Sequence, residues 1–476
     1  MAVYVLTMLQ GMILCSSADA VPELRPVVEV EELVYQYTPP DNGAGPMWCR
    51  GSTSLVRAGG ELFASGVETL EGVPPLNNCR WMLFQRTADG WQKVAVDPKD
   101  RTREPCPIAT FHDGPVFLSV NPTLVTDRQA GGGGPARPEI LVFNPAAPAG
   151  GYETLLPVWD GAPAFTEHSY RSFAADGINH EFILFQNIGY THAEWTFRDR
   201  DGQWARQGKL EWPWEAHYET PQPVRVCYPN VAIKGRAVHF CGVSDIVEPY
   251  GEWRAFKKEL TGNEWDYDFR RLFYTWTRDI MAVPFGEWVE IASRDKTCGW
   301  IMPGDLLVDQ DGAAHLVWTE RAIDERLREK FFPEALQRHE MNYAVVKEGK
   351  VVLRHTLMAA GEGIPGVTAS EPRFHITPDN RLFVFYYASG NDGEKNVAGN
   401  YLLEIGPDGA PGLPASVPLE HPLSSCFTAT TRAGSPPAES LDILGARDTT
   451  TIGYARIWPN GPPEPNTNAM SAQGVP

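Results

Sequence analysis

The sequence predicts an all-β fold, a seven-bladed β-propeller of four-stranded antiparallel blades, from three observations. First, one phrase recurs seven times along the 476 residues: polar residues, a short apolar strand, a tight turn with Gly, Asp or Asn, then a more apolar strand. Period-two apolar alternation around such a turn is the signature of a hairpin. Second, each hairpin is followed by one or two further β-rich runs, such as RWMLFQRTADGWQKV after Asn78-Cys79 and RRLFYTWTRDI from Arg270. Seven units of four strands make a closed ring. Third, 44 Gly and 41 Pro beside 43% hydrophobic and 11% aromatic residues favour short strands and many turns over long helices.

Taken in chain order, residues 1–20 (MAVYVLTMLQGMILCSSADA) are an apolar run followed by small residues, with Ala18 and Ala20 in the relation that signal peptidases accept. A signal peptide, and hence a secreted or periplasmic protein, is the expectation. Residues 27–37 (VVEVEELVYQY) read as a strand that completes the last blade beside TIGYARIW near residue 457. The seven hairpins begin near residues 48, 104, 167, 226, 299, 370 and 424. Their texts are CRGSTSLVRAGGELFASG, EPCPIATFHDGPVFLSV, EHSYRSFAADGINHEFILF, VCYPNVAIKGRAVHFCGV, GWIMPGDLLVDQDGAAHLVW, SEPRFHITPDNRLFVFYYA and SSCFTATTRAGSPPAESLDILGAR. QAGGGGPARP (129–138) is a flexible loop, and RAIDERLREKFFPEALQRHE (321–340) has the charge and apolar spacing of a helical insertion in the fifth blade. Residues 461–476 form a Pro-rich tail, so residues 21–460 are expected to be one propeller domain.

The formal charge of −19 disfavours a general nucleic-acid or anionic-membrane binder, because a diffuse negative field repels polyanions. No run after the leader reaches the ~20 apolar residues of a membrane span, and the expected form is a monomer. Removing the leader takes Cys15 and leaves seven cysteines, so at least one is unpaired even if the others bridge.

In a propeller the inner strand of every blade points its first residues at one mouth of the channel, which turns a scattered list into a constellation. It comprises Trp48 and Arg50; Glu104 and Cys106; Glu167, His168, Tyr170 and Arg171; Arg225 and Tyr228; Trp300 and Asp305; and Glu371, Arg373 and His375. Packing alone needs only apolar residues there. Polar residues in a wet channel can bind water and each other, but arginines from several blades beside His and Tyr favour an anionic ligand, since the guanidinium fork matches a carboxylate.

The hairpin phrase, the form VDQDGAAHLVW and the run DYDFRRLFYTWTRDI resemble the BNR-type, sialidase-like seven-bladed propellers that include ulvan lyases and related rhamnose-glucuronate-cleaving enzymes. The sialidase Asp-box is not intact: VDQDGAAHLVW keeps the Asp-x-Gly turn but has His315 in place of Thr. The resemblance implies a His base at His168, a second His at His192 in GYTHAEW, a Tyr at Tyr228 in CYPNV and an Arg at Arg271 in FRRLFY. It also implies an acidic, uronate-containing polysaccharide or oligosaccharide as partner.

That chemistry needs a base for the acidic proton beside the carboxylate, a proton donor for the leaving oxygen and a group that disperses the carboxylate's charge. His168 is the candidate base, Tyr170 or Tyr228 the donor, and Arg171 or Arg271 the neutraliser; no metal or organic cofactor is demanded. The substrate-binding candidates are Arg50, Arg171, Arg225, Arg271, Arg373, Glu371, His375, Trp300 and Asp305. A sialidase- or rhamnosidase-type glycoside hydrolase is the second reading, with Arg50, Arg225 and Arg373 gripping a carboxylate and Glu167, Asp305, Glu320 and Glu371 as the available acids. A non-catalytic carbohydrate-binding propeller is the third, with Trp48, Trp300, Tyr228 and Trp253 stacking on sugars. Strand parity also puts Cys227, His239 and Cys241 on one face of a hairpin, where a metal or a reduced, buried thiol pair are both open readings.

Overall fold

A computed structural model describes residues 23–98 and 101–462. The expected signal peptide and nearly all of the Pro-rich tail lie outside these residues. The chain forms seven four-stranded antiparallel sheets, each the blade of a propeller. Their inner strands are Leu55–Ala58, Ile108–Thr110, Arg171–Asp176, Val226–Lys234, Trp300–Val308, Thr368–Ile376 and Ser425–Thr428.

The third blade illustrates how sequence becomes blade. Its inner strand RSFAAD is buried throughout, because neighbouring blades cover both of its faces, whereas the outermost strand Trp204–Glu211 is buried only at Leu210. The turn after the inner strand is made by Asp176, whose Oδ1 accepts the amides of Ile178 (3.2 Å) and Asn179 (3.0 Å). That turn sets the register Arg171↔Gln186 to Asp176↔Glu181. Cores form between blades: Val56, Phe63, Ile108, Phe117, Phe173 and Phe182 from the first three blades share one buried cluster.

The seventh blade is assembled from both ends of the chain. Val27–Gln36 pairs antiparallel with Thr451–Trp458, in register from Val27↔Trp458 to Gln36↔Thr451. Val27–Gln36 thereby covers the outer edge of Thr451–Trp458 and ties the two ends of the chain into one blade.

The central channel holds protein. The connection after Ser425–Thr428 runs into it. The amide of Thr110 donates to the Ala433 carbonyl (2.9 Å), and that of Ala175 to the Arg432 carbonyl (2.9 Å). Gly434 adopts φ +84°, and a side chain there would collide with the Thr110 carbonyl, so glycine is required. Above this plug the segment Trp48–Ser52 crosses towards the opposite blade, where a side chain at Gly51 would collide with the Pro229 carbonyl.

Helix content differs from the expectation over 321–340. Only Glu325–Phe331 (α2) is helical; Arg321 still belongs to the second strand of the fifth blade and Arg338 already opens its third. Pro333 blocks continuation of the helix, and the cross-strand pair Arg321↔His339 recovers the sheet. A longer helix, Gly251–Thr261 (α1), lies in the fourth blade between Ala237–Ser244 and Arg271–Thr277, and its left-handed cap is Gly262. The two helices pack through Trp253–Phe332 (5.4 Å) and Phe256–Phe331 (5.6 Å) on the mouth side of the ring. Beneath them Lys257 bonds Glu248 (2.8 Å), and Arg270 bonds Glu248 (2.8 Å) and Asp295 (2.7 Å).

Candidate functional site

The inner strands do not enter their blades smoothly. Those of the fourth and sixth blades each carry a bulge within the ladder, between Cys227 and Asn230 and between Ser370 and Arg373. In each bulge a non-glycine residue stands in the left-handed region ahead of a proline: Tyr228 at φ +48° and Glu371 at φ +52°. Such strain persists only where surrounding structure enforces it, and bulges re-aim side chains. Both re-aimed side chains face the mouth, above the plug.

Around Tyr228 an aromatic cluster closes. The Trp48 ring stacks on Tyr170 (5.2 Å) and lies 5.5 Å from His168 and 5.8 Å from Tyr228. Tyr170 is 5.3 Å from His168 and 5.1 Å from Tyr228. The second blade supplies Glu104, fully buried, whose Oε1 meets His168 Nδ1 at 2.8 Å and accepts the Ser169 amide at 3.0 Å. A carboxylate on Nδ1 keeps the ring proton there, so Nε2 carries the free lone pair. The His168 side chain is 34% exposed while Glu104 is 1% exposed, so the imidazole is the half of the pair open to a ligand.

Behind the rings lies an ion pair, Arg225 Nη2 to Asp245 at 2.5 Å. Burial pushes the Asp245 carboxyl above its usual range although Arg225 and the Tyr170 hydroxyl pull it down. Burial also pushes the phenols of Tyr170 and Tyr228 well above theirs. Burial thus favours the protonated phenol at both positions.

The arginines divide by partner. Arg171 and Arg373 are each 2% exposed and donate to backbone carbonyls: Arg171 to Ser119 (3.1 Å) and Pro105 (3.0 Å), Arg373 to Cys426 (2.7 Å), Arg50 (2.8 Å) and Gly304 (2.6 Å). They fasten blades to one another. Arg225 is held by Asp245, and Arg271 by Glu215 (2.7 Å) and Glu290 (2.5 Å). Arg50 is the more open one: its side chain is 29% exposed, and it pairs through Nη1 with Glu371.

The remaining candidates scatter. Asp305 is buried, accepting from Arg432 (2.8 Å) of the plug and from the Phe374 amide (3.0 Å). His375 lies near the far end of its strand, its Nε2 on the Ala438 carbonyl (2.8 Å), and burial lowers its pKa to about 3. His192 begins the third strand of its blade and binds Glu194 (3.0 Å) and Thr191 (2.8 Å). Trp300 opens the inner strand of the fifth blade opposite Arg321. Glu167 anchors the glycine-rich loop by accepting the Gly134 amide (2.8 Å), and Glu320 pairs with Arg294 and Arg354. Trp253 is part of the helix packing, beside Tyr250 at 4.7 Å.

Two residues of this cluster have no role assigned to them by the sequence. Glu104 was visible only as a mouth residue, and Asp245 follows a strand end with no motif around it. Among the described residues no group of three or more His, Cys, Asp and Glu is placed to hold a metal ion. His239 bonds Tyr274 (2.7 Å), and the seven described cysteines are all buried and unbridged.

No family model and no curated protein matches this chain. Solved structures with similarity to it include the Synechocystis apocarotenoid oxygenase (TM-score 0.43, 12% identity, 94% of this chain and 95% of that one). Others are the α-L-arabinanase of Penicillium chrysogenum complexed with arabinobiose (0.42, 11%, 91% and 98%) and the GH93 α-L-arabinofuranosidase of Fusarium graminearum with arabinobiose (0.37, 10%, 90% and 97%).

Proposed function

We propose that this propeller acts on an acidic, uronate-containing polysaccharide and cleaves it by β-elimination at the mouth of the channel. The observation that carries the reading is the Glu104–His168 pair, 2.8 Å apart, in one aromatic cluster with the protonated phenols of Tyr170 and Tyr228. His168 Nε2 takes the proton from the carbon beside the uronate carboxylate. The electron pair left behind forms the ring double bond as the bond to the 4-linked oxygen breaks, and Tyr228 gives that oxygen its proton. Arg50 keeps donors free beyond Nη1 and sits where it can disperse charge building on the carboxylate. Tyr170, with its hydroxyl turned to Asp245, holds Tyr228 and Trp48 in position.

Hydrolysis by a carboxylate pair is less well supported, because the carboxylates of the mouth already have partners: Glu104 with His168, Glu371 with Arg50, Glu167 with Gly134, Asp305 with Arg432. Incubation with a panel of uronate polysaccharides separates the readings. An unsaturated-uronate absorbance band supports elimination, new reducing ends without the band support hydrolysis, and binding without either supports a non-catalytic module.

A further inference from the structure

The aromatic cluster continues outward over the fourth blade. From Tyr228 the ring of Phe269 is 6.1 Å away, and Tyr267 is 6.4 Å beyond it. Tyr267 in turn meets Tyr190 hydroxyl to hydroxyl at 3.0 Å. Of these rings Tyr190 and Tyr267 border an open cleft of about 640 Å³, whose lining also includes Gln222, Pro223, Ile246 and Trp265. Trp265 is 67% exposed and Tyr190 43% exposed. Two large aromatics open to solvent beside a polar site are poorly explained by packing, since the core gains little from them.

The electrostatics of this shelf differ from those of the mouth. Its cation, Arg225, lies 4.0 Å from the Tyr190 ring centre and 6.0 Å from that of Tyr267, but its charge is matched by Asp245 at 2.5 Å. No free guanidinium faces the cleft among the residues that line it; at the mouth Arg50, although paired with Glu371, leaves 29% of its side chain exposed against 7% for Arg225. Flat apolar faces with one amide and a few hydroxyls suit the C–H face and rim hydroxyls of a neutral sugar.

We infer that the Tyr190–Trp265–Tyr267 shelf is a chain-binding subsite that stacks neutral sugar residues of the same glycan, away from the cleaved bond. This rests on the proposed reading of the mouth as a glycan site. It makes the protein a binder of mixed chains in which neutral residues accompany uronates.

The test uses the full chain and Trp265→Ala, with Trp265→Phe as the conservative variant; at 67% exposure neither change disturbs the core. Affinity electrophoresis through gels containing hyaluronan, gellan, glucuronoxylan or polyglucuronate reads binding independently of turnover. The wild type should be retarded more by a mixed polymer than by polyglucuronate. Trp265→Ala should weaken that retardation by roughly tenfold in dissociation constant, the scale of one lost ring contact, and Trp265→Phe should restore most of it. Where a polymer is cleaved, kcat/KM on long chains should fall while that on the shortest cleaved oligosaccharide is kept. Equal retardation of wild type and Trp265→Ala, equal loss on long and short substrates, or no retardation of the wild type by any of the four polymers overturns the subsite. Retardation that depends on Trp265 without cleavage of any polymer sustains the subsite and removes the lyase reading.

Discussion

Glu104 and His168 are 64 positions apart in sequence and 2.8 Å apart in space, and the consequences of that contact are specific. Glu104→Gln leaves the size of the side chain and removes the charge that fixes the imidazole, so turnover should drop about a hundredfold or more with little change in KM. Tyr228→Phe should cost a similar factor through the lost proton donor, and steady-state kinetics on the cleaved polymer checks both; a Tyr228→Phe enzyme with full turnover would remove that residue from the reaction. Two other histidines report on stability instead. Burial holds the pKa of His239 at about 4 and that of His375 at about 3, against 6.5 when unfolded. Each is neutral in the fold and takes up a proton on unfolding below pH 6.5. Stability is therefore full above about pH 6.5 and is lost as the pH falls, by roughly 3 kcal/mol per histidine near pH 4.5. Denaturant midpoints between about pH 7.5 and 4.5 should fall steeply, and less steeply in His239→Gln; a flat profile would contradict the assignment. The arginines show why residue type alone under-determines role. The donor fork that suits a ligand carboxylate equally suits the paired backbone carbonyls met by Arg171 and Arg373, and only burial distinguishes them from Arg50.

Among the elements, hairpins were legible because period-two alternation and a Gly or Asp turn are local signals, and the strand 27–37 was legible because its alternation matches that of residues 451–458. The plug was not legible. TTRAGS, residues 430–435, has no periodicity, and its partners Thr110, Ala175 and Asp305 come from other blades. Helix α1 was missed for another reason: its charged sequence resembles a solvated loop until Lys257 is seen buried against Glu248. Glu248 has no exposed side-chain surface and serves both Lys257 and Arg270. Glu248→Ala removes the carboxylate that two buried cations share, leaving Arg270 to Asp295 and Lys257 to Asp266, and should destabilise the protein by about 1–3 kcal/mol, measurable by urea unfolding. A loss below about 1 kcal/mol would mean that the helices are decoration rather than a clamp between the fourth and fifth blades.

For the molecule as a whole, the ring gathers residues that the sequence disperses. Trp48, Glu104, His168, Tyr170 and Tyr228 come from four successive blades, and the plug with the crossing segment Trp48–Ser52 turns the channel mouth into a floored cleft. The density of polar residues before the third inner strand singles out His168 and Tyr170 in the sequence, and the ring sets them beside Trp48 and Tyr228. What sequence does not carry is the pairing across blades, because Glu104 meets His168 only when the second and third blades pack together. The most direct measurement follows unsaturated-uronate absorbance and new reducing ends together, on a uronate polysaccharide, for the wild type and His168→Ala. Elimination at this mouth predicts that both signals rise in parallel with the wild type and that neither rises with His168→Ala. Reducing ends without the absorbance band, or full turnover by His168→Ala, would contradict it.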